Sequence, residues 1–173
     1  MSASLPAVLD VWRMVAARRS FEGRLPLSAF GRLGESLTDA EGEVRYTLDF
    51  DRDALKIATL DLHIEADLPL ECQRTLQRFL HPVRIDQRLG LIASESQEAS
   101  LPGEYEPVLV GEDGAVNPLD LIEDELILAI PVVPVAPGTE PAEQEWPAPQ
   151  QSENQEERPN PFAALSVLKE RKH

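Results

Sequence analysis

EVRYTLDFDRDALKIATLDLHIEADLPL, residues 43–70, sets the architecture of this chain. Val44, Tyr46, Leu48 and Phe50 alternate with polar residues, the period of a strand with one face on a core and one in solvent. Asp51-Arg52-Asp53 is a turn signal. A second strand is predicted from Leu55 to Leu70. Its apolar parity changes from odd (Leu55, Ile57) to even (Leu60, Leu62, Ile64, Ala66, Leu68, Leu70), which predicts a β-bulge near Ala58–Thr59. Residues 72–77 turn the chain, and residues 79–92 return as a partner strand. Pro82 requires an edge or a bulge there, because it has no N–H for a ladder. Sequential strands joined by short turns favour hairpins over crossovers, hence an α+β fold with a strongly curved antiparallel sheet and packed helices.

Outward from that block, PAVLDVWRMVAARR (residues 6–19) has Val8, Val11, Trp12 and Val15 at helical spacing, with Arg18 and Arg19 suiting the C-terminal end. A short strand is expected at Phe21–Leu25, and Ser28 is expected to cap a short helix running to Leu37. Residues 93–104 read as a polar loop and Tyr105–Val110 as a further strand. The strongest helix signal is Asn117 as N-cap, Pro118 at the first helical position and Asp120 in the first turn, for a helix over 118–130 that ends before Pro131. Leu119, Ile122, Leu126 and Ala129/Ile130 form its expected buried stripe, widened by Leu121 and Leu128. Residues 136–158 carry almost no aliphatic side chains beyond alanine and are expected to be a disordered acidic, Pro-rich linker. Asn160-Pro161 repeats the cap-and-proline start, and Phe162, Leu165 and Leu168 share one face of a short basic amphipathic helix over 159–173.

Charge is unevenly distributed along the 173 residues. Residues 1–92 hold 12 Lys+Arg and 14 Asp+Glu, whereas residues 93–158 hold 1 and 16, so nearly all of the net −15 belongs to the second segment. That segment repels a phosphate backbone, and the first half does not. One cysteine, Cys72, excludes an internal disulfide framework and any multi-cysteine metal site. No signal peptide and no apolar run of about 18 residues is present, so a cytoplasmic protein without a membrane contact is expected.

Four constellations bear on function. Asp120, Glu123 and Asp124 share a helix face and could hold a divalent metal, as in a metal-dependent hydrolase or nuclease. The structural alternative is that acids in the first turns complement the helix dipole. Cys72 lies near Arg74, but nothing ties His63 or His81 to it as a base, and a packed thiol is the simpler reading. No GxSxG, GxxxxGK[ST] or GxGxxG is present, so neither that catalytic class nor nucleotide binding has support, and no cofactor or small-molecule substrate is expected. Arg74, Arg78, Arg84 and Arg88 are all even-numbered and could form one strand face, joined by His81, Arg13, Arg18 and Arg19, that touches RNA or a ribonucleoprotein. The alternative is a solvated face paired with Glu65, Asp67 or the acidic segment. Asp120, Glu123 and Asp124, together with Phe162, Leu165 and Leu168, are the corresponding candidates for a protein partner.

PLECQRT (69–75), LPGEYEPVLV (101–110), NPLDLIEDELILAIPVVPV (117–135) and the ending NPFAALSVLK resemble the YceD family, the large ribosomal RNA subunit accumulation proteins. The IEDELILAIPVVP block is the most specific of these, and the resemblance runs from about Leu5 to Lys172, omitting residues 136–158. It implies a family domain over 1–135 and a bacterial cytoplasmic factor needed for 23S ribosomal RNA to accumulate, with no catalytic activity to carry over. The implied partners are a ribosomal protein or pre-ribosomal particle, and possibly 23S rRNA or its precursor. A generic protein adaptor is the further alternative. Many relatives have CxxC at the turn and some a second pair after the PVVP region. Here the turn reads Cys72-Gln73-Arg74-Thr75 and no cysteine follows, so about four N/S zinc ligands cannot be assembled and the hairpin is expected to hold by packing and backbone bonds.

Overall fold

The computed structural model describes residues 5–111 and 113–139. The chain separates into two compact units, Met1–Glu140 and Pro141–His173. The second unit, with the expected helix over 159–173 and its Phe162, Leu165 and Leu168, lies outside the described residues, as does the expected linker beyond residue 139.

The first unit is α+β. A five-stranded sheet has the order β2 (Ser20–Pro26), β3 (Glu43–Arg52), β4 (Ala58–Glu71), β5 (Arg78–Ile92) and β6 (Glu106–Leu109). A two-stranded ribbon pairs β1 (Leu9–Asp10) with β7 (Ala115–Val116). The helices are α1 (Val11–Ala16), α2 (Gly31–Gly34) and α3 (Pro118–Ala129). Strands β3 to β5 form the expected antiparallel hairpins and β2 adds antiparallel to β3, but β6 runs parallel to β5. Residues 93–105, including a 3-10 helix at Glu95–Ser100, bring the chain back along β5 before pairing resumes, and such a return makes the added strand parallel.

The alternation in residues 43–70 selects the buried face. Val44, Tyr46, Leu48 and Phe50 of β3 lie against Ala66, Ile64, Leu62 and Leu60 of β4, and all eight are buried. Each fully buried leucine or isoleucine removes enough apolar surface from water to contribute about 1.5–3 kcal/mol. Leu27, Phe30 and Leu33 close one end of this core, α1 packs Val11 and Val15 onto β3 and β4, and α3 adds Ile122 and Leu126.

Several expectations are corrected. No bulge occurs near Ala58: the β3–β4 register is unbroken from Val44↔Ala66 to Arg52↔Ala58. The parity change marks the turn instead, for Leu55 is 69% exposed and Lys56 has a φ of 63°. Of the edge or bulge expected at Pro82 the edge is found: register holds through Pro82, which faces Asp67, and β6 meets β5 only at Leu89–Ile92. The first helix is shorter than residues 6–19, because Leu9 and Asp10 pair with β7, the Asp10 carboxylate caps Arg13, and Arg18 turns left-handed at φ 46°. Ser28 makes no cap and lies inside a 3-10 turn, Leu27–Ala29. On α3 the Asn117 cap is present, its side chain accepting the Leu119 N–H at 3.0 Å, but Leu128 is exposed rather than buried.

Candidate functional site

β5 is straight in register, so Arg78, Arg84 and Arg88 do share one face, directed away from the core. Arg74 is not on the strand. It lies in the turn after Cys72, where its guanidinium donates to the Thr139 carbonyl. The register sets the partners of the three strand arginines. Arg88 stands opposite Asp61 and donates to it at 2.5 and 2.8 Å. Arg84 stands opposite Glu65 and lies 3.6 Å from it, with Asp86 at 3.1 Å. Arg78 reaches off the sheet to Asp39 at 2.5 Å and Glu41 at 3.6 Å. Arg45 adds a contact to Glu65 from the neighbouring strand, and His63 bridges Asp86 and Glu65. Cross-strand placement of opposite charges produces this lattice.

Each arginine is therefore balanced locally. Donation from Arg78, followed by the Glu41 N–H, pulls the Asp39 carboxyl down to about 2, while Asp39 raises the Arg78 guanidinium. Hydrogen bonding to Asp61 likewise raises Arg88, and His63 then Arg84 lower Asp86. The other expected members of a basic surface are dispersed. Arg18 pairs with Asp51 at 3.0 Å, Arg19 lies over the Phe21 ring, and His81 faces buried Leu68 on the opposite side of the sheet. The expected partner Asp67 faces Pro82, and Asp61 takes its place.

The acidic residues of α3 divide. Glu123 is 5% exposed. Its Oε1 accepts the backbone N–H groups of Arg32 at 2.7 Å and Leu33 at 3.0 Å, and its Oε2 accepts the Arg32 Nε at 3.0 Å. A carboxylate from α3 thus caps α2, whose first N–H groups have no partner within their own helix. Asp124 joins it through Arg32 at 2.6 Å, and Asp120 and Asp124 remain at the surface. Asp120, Glu123 and Asp124 consequently do not converge. No group of three or more His, Cys, Asp and Glu side chains among the described residues is arranged to hold a metal. The sequence signal for this cap was only a second acid beside a surface one, and its target lies 90 residues upstream.

Cys72 is fully buried at the end of β4. Its N–H donates to the Gln77 carbonyl at 2.9 Å, and its carbonyl accepts the Leu76 N–H at 2.8 Å, closing the hairpin by backbone bonds. The sulfur participates as well: it accepts the Ala136 N–H at 3.3 Å and lies 3.8 Å from the Thr139 hydroxyl. The Ala136 N–H and the Thr75 hydroxyl favour the thiolate against the desolvation of burial and hold the thiol down at about 6. The Gln73 backbone N–H donates to the Pro134 carbonyl at 2.9 Å, so a backbone bond ties the hairpin tip to the segment after α3.

Fold and site together define an α+β domain in which Arg78, Arg84 and Arg88 are paired with carboxylates and Glu123 caps α2. The chain belongs to the YceD family: the model of the large ribosomal RNA subunit accumulation protein YceD matches residues 60–169. It is similar to the large ribosomal RNA subunit accumulation protein YceD of Haemophilus influenzae, with 30% identity over 169 residues, covering 96% of this chain and 97% of that protein. No solved structure matches. No helix among the described residues is long and apolar enough to cross a membrane.

Proposed function

We propose that this protein is a non-enzymatic ribosome-biogenesis factor, required for the synthesis, processing or stability of 23S rRNA, and that it acts in the cytoplasm by binding a basic ribosomal protein within a pre-ribosomal particle. Family membership supplies the ribosomal link. The observation that carries the mode of action is the pairing of Arg78, Arg84 and Arg88 with carboxylates of the first unit. It leaves the acidic excess of residues 93–158 as the dominant field, and such a field attracts a basic partner. Asp120 and Asp124 are the exposed acidic residues of α3 offered for that contact. Phe162, Leu165 and Leu168 are proposed as a second, apolar contact on a basic helix, tethered to the 1–135 domain by a 136–158 linker.

Affinity capture with the full chain tests this reading. Basic large-subunit proteins should be recovered at low salt and released as salt rises, because exposed charge pairs are screened. Recovery of RNA with no basic protein would overturn it. Replacing Arg74, Arg78, Arg84 and Arg88 by Ala should leave rRNA crosslinking in place; its abolition would restore the arginine face as the RNA contact.

A further inference from the structure

A cleft of about 400 Å³ lies between the turn that joins β3 to β4 and the 3-10 segment after β5, lined by Trp12, Arg52, Lys56, Leu91, Gln97 and Leu101 among others. Its cations differ from those of the outer sheet face. Arg52 and Lys56 form no ion pair among the described residues, whereas Arg78, Arg84 and Arg88 are all paired. The Arg52 guanidinium is steered by the Lys56 carbonyl at 2.9 Å. Lys56 is fixed in a left-handed conformation, φ 63°, that non-glycine residues seldom adopt. Three bonds hold it there: Lys56 N–H to the Asp53 carbonyl at 3.0 Å, Asp53 N–H to the Ile57 carbonyl at 3.1 Å, and Ile57 N–H to the Asp53 carboxylate at 2.8 Å. The other Asp53 oxygen accepts the Tyr105 hydroxyl at 2.8 Å, so the turn is anchored to the segment before β6.

The third element is aromatic. Trp12 is half-buried, and its Nε1 donates to the Gly111 carbonyl at 3.2 Å. Gly114 lies so close that a Cβ there would come within 2.5 Å of the indole Cδ1. The ring is thus held in one position beside two cations that have no ion pair among the described residues, and an apolar floor. Single-stranded nucleic acid is bound by this combination, a base on an aromatic side chain and the backbone phosphate on Lys or Arg.

We infer that this cleft binds one nucleotide of single-stranded RNA, its base against the Trp12 indole and its flanking phosphates on Arg52 and Lys56. The site is distinct from the Asp120 and Asp124 surface proposed to meet a basic protein and does not depend on that contact. A duplex keeps its bases stacked and does not present one to the indole.

The test uses the full chain carrying Trp146→Phe, which leaves Trp12 as the remaining tryptophan, and a short single-stranded RNA as probe. RNA should quench Trp12 emission, and the logarithm of affinity should fall with the logarithm of salt at a slope of about −1.4 for two phosphates. Arg52→Glu with Lys56→Glu should weaken binding about tenfold or more. Trp12→Phe, which keeps an aromatic face, should weaken it less than Trp12→Leu. The double charge variant, altered only in surface residues, should retain capture of the basic protein. Equal affinity of the double variant, unchanged Trp12 emission, or equal binding of an RNA duplex would overturn the site. Adenosine monophosphate binding as tightly as the strand would overturn the strand assignment.

Discussion

Glu123 and Asp124 are neighbours on α3 and both accept from the Arg32 guanidinium, yet their settings differ. Glu123 is buried and accepts two backbone N–H groups of α2, while Asp124 meets the exposed end of Arg32. Truncating Glu123 leaves buried donors without a partner, at about 1–3 kcal/mol per group, whereas an exposed pair contributes less than about 1 kcal/mol. Urea denaturation should therefore show Glu123→Ala destabilised by about 2–4 kcal/mol and Asp124→Ala by less than about 1 kcal/mol. Glu123→Gln, which keeps one acceptor oxygen, should fall between them. Asp39 offers a titration. Its folded carboxyl lies near 2 against an ordinary 3.8, so its pairing with Arg78 stabilises the fold above the ordinary value and is lost as pH falls through about 2. In Arg78→Ala the Asp39 carboxyl should titrate higher by NMR, moving toward its ordinary value while the Glu41 N–H still holds it down, and the acid loss of stability assigned to it should shrink.

At the scale of elements, α3 begins as local chemistry dictates and ends its influence far from where local chemistry reaches. Asn117→Ala should cost about 1 kcal/mol, read by thermal or urea unfolding, because the Leu119 N–H loses its acceptor. A cost near zero would show that α3 is held by packing alone. β5 behaves as two strands in one. Leu89 and Gly90 are paired on both sides and Leu91 and Ile92 with β6, while the stretch around Pro82 has β4 on one side and an edge on the other. This arrangement lets a proline sit in a long strand without breaking its register.

For the whole molecule, the distribution of charge matters more than its total. The outer face of the sheet is a lattice of opposite charges, and the negative excess follows β5 in sequence. Asp120→Asn combined with Asp124→Asn should weaken salt-sensitive capture of basic large-subunit proteins. The same pair of changes should lower the thermal midpoint only slightly, since both side chains are exposed. Undiminished capture would place the contact elsewhere in residues 93–158.

The sequence alone determined the α+β class, the β3–β4–β5 meander, the buried face of residues 43–70 and the start of α3. Each is a short-range pattern: alternation at period 2, turn residues at fixed spacing, or a cap followed by proline. The PLECQRT and IEDELILAIPVVP blocks also pointed to the family that residues 60–169 match. Only the tertiary structure decided the partners. Arg84 meets Glu65 and Arg88 meets Asp61 because the turn over residues 72–77 fixes the register of β5 on β4, a relation that parity alone leaves open by steps of two. Glu123 caps α2 because both helices meet at one edge of the core, although 90 residues separate the bonded groups. Arg52, Lys56 and Trp12 line one cleft for the same reason: charge and shape at a site depend on which distant segments the sheet brings together, and periodicity records only which way each side chain faces.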